Sequence, residues 1–224
     1  MFPSISIKHD LDEVARWARR IAADQVPFAT ALALTRTVEQ AAAELTRELP
    51  RALDKPTPFT LKAWSIRRAT KIDQTAVVFA KDAQEQYLQW QVFGGDRAPN
   101  KKAQRLPTAI KLNEFGNIPR GEIKRLVKLA QEGKRLTRAR GAKLGISNKV
   151  DLFYGDPGNG MPPGVFKRVV HGNTHQLVPL VVMPQRAVHY KARFPMRDIV
   201  LRVVRSRFAA NYAEAWAQAL RSAR

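Results

Sequence analysis

Two stretches with helical spacing of apolar residues, one towards each end of the chain, constrain the fold more than any other feature. Phe28, Ala31, Thr35, Val38, Ala42, Leu45 and Leu49 recur at intervals of three and four, which gathers them into one stripe of an α-helix. Val200, Val203, Val204, Phe208, Tyr212, Ala215, Trp216 and Ala219 do the same within 196–222. Stripes of that length need an apolar surface against them. The many alanines of the first let a neighbouring element approach closely. Trp216 reads as core rather than as a ligand platform. A shorter stripe, Leu11, Val14, Ala18 and Ile21, predicts a helix over 10–24, with Asp10 as its cap and Glu13 three residues on. Pro27 suits a helix's first turn and Pro50 its end. The N-terminal stretches are therefore expected to form a helical hairpin or one bent helix.

Between the ends the period changes. Trp64, Ile66 and Arg68 alternate with Ser65, Arg67 and Ala69, and 75–80 is rich in β-formers, so a hairpin is expected across the short connection 71–74. Strand signals return at 151–154, 164–170 and 176–183, separated by Gly155-Asp156-Pro157-Gly158-Asn159-Gly160 and by Gly172-Asn173. Short helices are expected over 83–90 and 121–132. The expectation is an α+β single domain, 1–224: an N-terminal helical hairpin (module 1–50) and a C-terminal long helix packed on a small antiparallel sheet, with an irregular basic insert at 91–149. Pro27, Trp64, Phe79 and Trp216 are expected to be structural.

Charge is the second constraint. The chain of 224 residues carries 39 Lys and Arg against 19 Asp and Glu, a net of +20. Residues 1–50 hold 6 basic and 7 acidic side chains, 51–150 hold 22 and 8, and 151–224 hold 11 and 4. Such a field attracts anions, above all nucleic acid or an acidic protein surface. The densest part is 120–149, with Arg120, Lys124, Arg125, Lys128, Lys134, Arg135, Arg138, Arg140, Lys143 and Lys149 against Glu122 and Glu132. These ten are the candidate DNA- or partner-facing residues, because phosphate contact needs charge and no particular base sequence. The same composition also fits a solvated basic loop or one docked on an acidic neighbour.

Catalytic and metal signatures are missing from the sequence. With no cysteine, disulfides, thiolate zinc sites and cysteine nucleophiles are excluded. The four histidines are His9, His171, His175 and His189. His171 and His175 have a spacing that would suit a metal on a helix, but Gly172-Asn173 between them argues for a turn. The acids Asp151, Asp156 and Asp198 form no recognisable constellation. No nucleophile elbow or phosphate loop is present, and the glycine run at 155–160 reads as a hairpin loop. The expectation is a non-enzyme with no cofactor and no metal. The opening residues lack the basic-then-apolar layout of a signal peptide, and no run approaches the 18 or so apolar residues of a membrane span.

Four segments resemble the tail-completion, or minor tail protein Z-like, family of tailed bacteriophages and prophages. They are Ile5-Ser6-Ile7 with the run Val26 to Thr37; Ile66-Arg67-Arg68-Ala69-Thr70-Lys71; Leu112 to Ile123, which contains Gly116-Asn117 and Arg120-Gly121; and Pro162 to Arg168 with Tyr190 to Met196 and the closing helix. None of these motifs is catalytic. The resemblance implies a virion structural protein that completes the tail or joins it to the head–tail connector, as part of an oligomeric ring around the DNA channel. The partners it implies are portal/adaptor or tail-tube/terminator proteins, further copies of the chain and, non-specifically, packaged DNA, with no membrane. The location it implies is the tail or neck of the virion, assembled in the host cytoplasm. The alternative is a sequence-independent nucleic-acid-binding protein.

Overall fold

A computed structural model describes residues 11–98, 105–132, 151–158, 160–171 and 174–222. The chain is α+β and groups into two compact units, 1–52 with 58–88 and 194–224, and 53–57 with 89–193.

The first unit is built on α1 (Leu11–Ala52) and α5 (Met196–Ser222). Of the two expected arrangements the structure has the single helix and not the hairpin: α1 is 42 residues long, passes through Pro27 and continues beyond Pro50. Proline removes one N–H and crowds the preceding turn, a local cost of about 3 kcal/mol. The residues after Pro27 are held by packing on α5, so the helix survives the penalty. Asp10, the expected cap, lies outside the described residues.

The two helices run antiparallel, as their polar contacts show. Arg202 lies 3.9 and 3.8 Å from Glu44 and Glu48, whereas Arg36 reaches Glu214 at 3.7 Å and Gln218 at 2.9 Å. Between these ends Ala29, Ala33, Ala215 and Ala219 are fully buried against each other, flanked by Phe28, Leu32, Phe208, Tyr212 and Trp216. Alanine at the seam lets the backbones approach closely, since interaxial distance follows the side chains at the contact. One buried polar pair interrupts it: Asn211 donates to the Thr37 hydroxyl at 2.9 Å, and also to Oε1 of the exposed Gln40 at 3.1 Å. The described part of α5 reaches the level of Val26, and residues 11–25 continue beyond it for about 22 Å at ~1.5 Å per residue. Leu11, Val14 and Trp17, which the sequence assigned to a packed stripe or left aside, are 68%, 60% and 59% exposed there.

The hairpin of β1 (Trp64–Arg67) and β2 (Val77–Ala80) forms as expected, with Trp64 opposite Ala80 and Arg67 opposite Val77. It leans on α1 through Arg68 and Glu39 at 3.0 Å, the Ala69 N–H donating to Thr35 Oγ1, and Lys71 over the Phe28 ring. Trp64 is buried and stacks on Phe194 at 5.8 Å. Phe79 is not core; it is 44% exposed, because alternation in a two-stranded hairpin turns one face to solvent. The turn α2 (Pro58–Leu61) and the helix α3 (Asp82–Val92) meet through Thr60 and Tyr87.

The second unit contains two further antiparallel sheets among the described residues, where one small sheet was expected. β3 (Gly95–Arg97) pairs with β8 (Val188–Tyr190), and β4 (Leu106–Pro107), β7 (Thr174–Val182), β6 (Gly164–His171) and β5 (Asp151–Gly155) lie side by side in that order. The described part of 91–149 is thus less irregular than its glycines and prolines suggest. Its two strands are too short to show a period. At the start of β6, a Cβ on Gly164 would collide with the Val181 carbonyl oxygen, so this close strand approach requires glycine. A register shift between Val165 and Phe166 leaves Leu180 without a register partner in β6, while its carbonyl oxygen accepts the Thr108 N–H at 3.0 Å. Leu180 and Val181 can then both face the same side, as a bulge allows. There they bury Val165, Ile110 and Leu126, the last from α4 (Glu122–Gln131).

Candidate functional site

The site is assembled where α4 crosses one end of the four-stranded sheet. Leu126 is fully buried, and Ile123, Val127 and Leu129 pack around it, which fixes the rotation of the helix. That rotation puts Lys124 and Lys128 on its exposed shoulder, one turn apart, with Cβ atoms about 5–6 Å from each other. Across the sheet the register aligns Tyr154 with Val165 and Val165 with Val181, with Leu106 and Pro107 beside Val182 and Val181. Arg105, just before β4, is thereby brought to the α4 shoulder although it is far from it in sequence.

Two adjoining concavities result. One of about 340 Å³ is lined by Arg105, Lys124, Lys128, Gln131 and Tyr154, with Ile123, Val127 and Met183 as its apolar wall. The other, about 350 Å³, is lined by Arg105, Arg120, Gly121 and Lys124 over Ile118, Pro119 and Ile123. Both share Arg105, Ile123 and Lys124, so they form one groove with an apolar floor and a basic rim. Tyr154 is 41% exposed at its edge.

Charge in the groove is poorly compensated. Glu132 lies 3.8 Å from Lys128, and Glu122 lies 3.5 Å from Arg125, an ion pair without a hydrogen bond. Among the described residues, Arg105, Arg120 and Lys124 have no acidic partner within 4.0 Å. Unpaired guanidinium and ammonium groups beside an apolar wall suit an anion that also has a flat or apolar part.

Of the ten sequence candidates, the structure brings Arg120, Lys124 and Lys128 to this groove and turns Arg125 towards Glu122. Lys134, Arg135, Arg138, Arg140, Lys143 and Lys149 lie outside the described residues. Arg105 and Tyr154 were missed by sequence reasoning. An isolated Arg and one Tyr in a strand carry no local signal, and only the strand order places them together.

The backbone does not give His171 and His175 the helical spacing that a metal pair would need. His171 and His175 fall in the two strands of the β6–β7 hairpin, His171 opposite Thr174 and His175 opposite Val170, not on successive turns of a helix. His189 Nδ1 lies 2.7 Å from Asp96 Oδ1, an exposed cross-strand pair joining β3 and β8. His9 lies outside the described residues. The glycine run does form the β5–β6 connection, where Asp156 Oδ1 accepts the Gly158 N–H at 2.8 Å. Among the described residues no three His, Asp or Glu side chains converge as metal ligands would, and no helix is long and apolar enough to cross a membrane. Compared with protein-family models, curated proteins and solved structures, the chain matches none.

Proposed function

We propose that this chain is a structural subunit of a tailed-phage virion that completes the tail or joins it to the head–tail connector. It works as one member of a ring of copies around the DNA channel. Its neighbours are portal/adaptor or tail-tube/terminator proteins in the tail or neck, put together in the host cytoplasm, and it catalyses no reaction. The observation that carries this reading is the first four turns of α1, which extend past the described end of α5 with Leu11, Val14 and Trp17 uncovered. An apolar edge on a rigid helix is suited to burial against another subunit. The basic content of 120–149 supplies the attraction to DNA in the channel.

The test is association. The native chain should sediment as an oligomer, and Leu11→Ser with Trp17→Asp should return it to a monomer of unchanged helix content. In particles, replacing Lys134, Arg135, Arg138 and Arg140 together by Ala should leave the chain folded and impair assembly or DNA retention. A native chain that stays monomeric at all concentrations and never enters particles defeats the proposal. The second reading, a sequence-independent nucleic-acid-binding protein, is favoured by the basic groove and predicts duplex binding that weakens steeply with salt.

A further inference from the structure

We infer that the α4 groove is a binding site for a single-stranded polynucleotide, with Tyr154 as a stacking platform and Arg105, Lys124 and Lys128 as phosphate contacts. The inference stands apart from the virion reading, since it concerns the groove alone. Three features of the groove point to this ligand. Its rim carries cations from two elements, Arg105 before β4 and Lys124 and Lys128 on α4, so the charge is gathered from separate parts of the chain rather than from one helix. Its floor is apolar, with Ile123, Val127 and Met183, which a bare phosphate or a hydrated carboxylate would not fill. Its edge holds an exposed phenol ring.

A chain that alternates phosphates with flat bases satisfies all three. Bases stack on aromatic side chains regardless of sequence while a basic groove tracks the backbone. In a duplex the bases are already stacked on each other, and the ring of Tyr154 would gain nothing beyond phosphate attraction. An acidic peptide would satisfy the cations and leave the apolar floor and the ring unused. The groove volume, about 340 Å³ in one part and 350 Å³ in the other, lies in the range of small-molecule sites and can receive a base.

The experiment is fluorescence anisotropy on the full chain with labelled oligothymidylate, a duplex of equal length and polyglutamate, over a salt series. Oligothymidylate is expected to bind more tightly than the duplex. Tyr154→Ala should weaken oligothymidylate about tenfold with an unchanged salt slope, Tyr154→Phe should retain binding, and neither should alter polyglutamate binding. Lys124→Gln with Lys128→Gln should flatten the slope of log affinity against log salt by about 1.4, two single-strand phosphate contacts at ~0.7 each. Ultraviolet cross-linking should tag the β5 peptide that contains Tyr154. Equal affinity for single strand and duplex, or no effect of Tyr154→Ala, would overturn the inference. Tighter binding of polyglutamate, lost in the lysine variant, would assign the groove to an acidic protein segment instead.

Discussion

The α1–α5 unit and the sheet unit solve the packing problem with different materials. The first meets along alanines, Ala29, Ala33, Ala215 and Ala219, and admits a polar pair, Thr37 and Asn211, into the seam. The second buries bulky aliphatic side chains, Leu126, Leu180, Val165, Val181 and Ile110, between one short helix and a sheet. Charge differs in the same way. The first unit has 18 basic and 12 acidic side chains, and many of its acids pair across or along its helices. The second has 21 basic and 7 acidic, so much of its charge is left for something outside the chain. A seam of small residues specifies a close helix pair and has no room to spare. Where α4 covers the sheet, the packing depends on a few large side chains, and it positions whatever the helix shoulder carries.

The largest effect is expected at Trp64, a large buried side chain of the first unit that stacks on Phe194. Trp64→Ala should cost about 3–5 kcal/mol in chemical denaturation. Its indole N–H has no acceptor among the described residues, so Trp64→Phe should cost far less. An unchanged denaturation midpoint in the Ala variant would mean that the hairpin is not anchored through this ring. Next is Leu126→Ala, at about 2–5 kcal/mol, because it removes the centre of the second core. Hydrogen exchange should show lost protection in α4 and β5 to β7, and with α4 loosened the groove should bind anions less well. Loss confined to α1 and α5 would contradict the division of cores drawn above. The smallest effect, about 1–3 kcal/mol, is expected from Ala33→Leu, where added volume must separate the helices. If that variant proves more stable than the native chain, the seam is not closely packed and the contrast between the two cores fails.

Much of the fold is legible in the amino-acid sequence. The alternation at Trp64–Arg67 and the run Ile123–Ala130 each correspond to an element close to its observed bounds, and the stripe from Phe28 to Leu49 lies within α1, because a period of 3.6 or 2 is written in consecutive residues. The readings that failed depended on partners. Pro27 signals a helix start when read alone, yet contact with α5 holds the helix beyond it. Leu11 and Val14 have core spacing, but no described part of α5 lies alongside them. β3 and β4, at three and two residues, are defined only by the strands they pair with.

The candidate site divides along the same line. Lys124, Arg125 and Lys128 stand out because charge density is a property of composition, and their helical phase follows from the apolar residues between them. Which of them faces a groove is settled by Leu126, whose burial fixes the rotation of α4, and Arg125 is turned away to Glu122. Arg105 and Tyr154 join the site through the order β4–β7–β6–β5, which brings residues 49 positions apart in sequence to one concavity. Local spacing encodes which face of a helix or strand is apolar. Which strand lies next to which, and therefore which distant side chains meet, follows from long-range backbone pairing and the shared burial of a core, and no window of the sequence contains both partners.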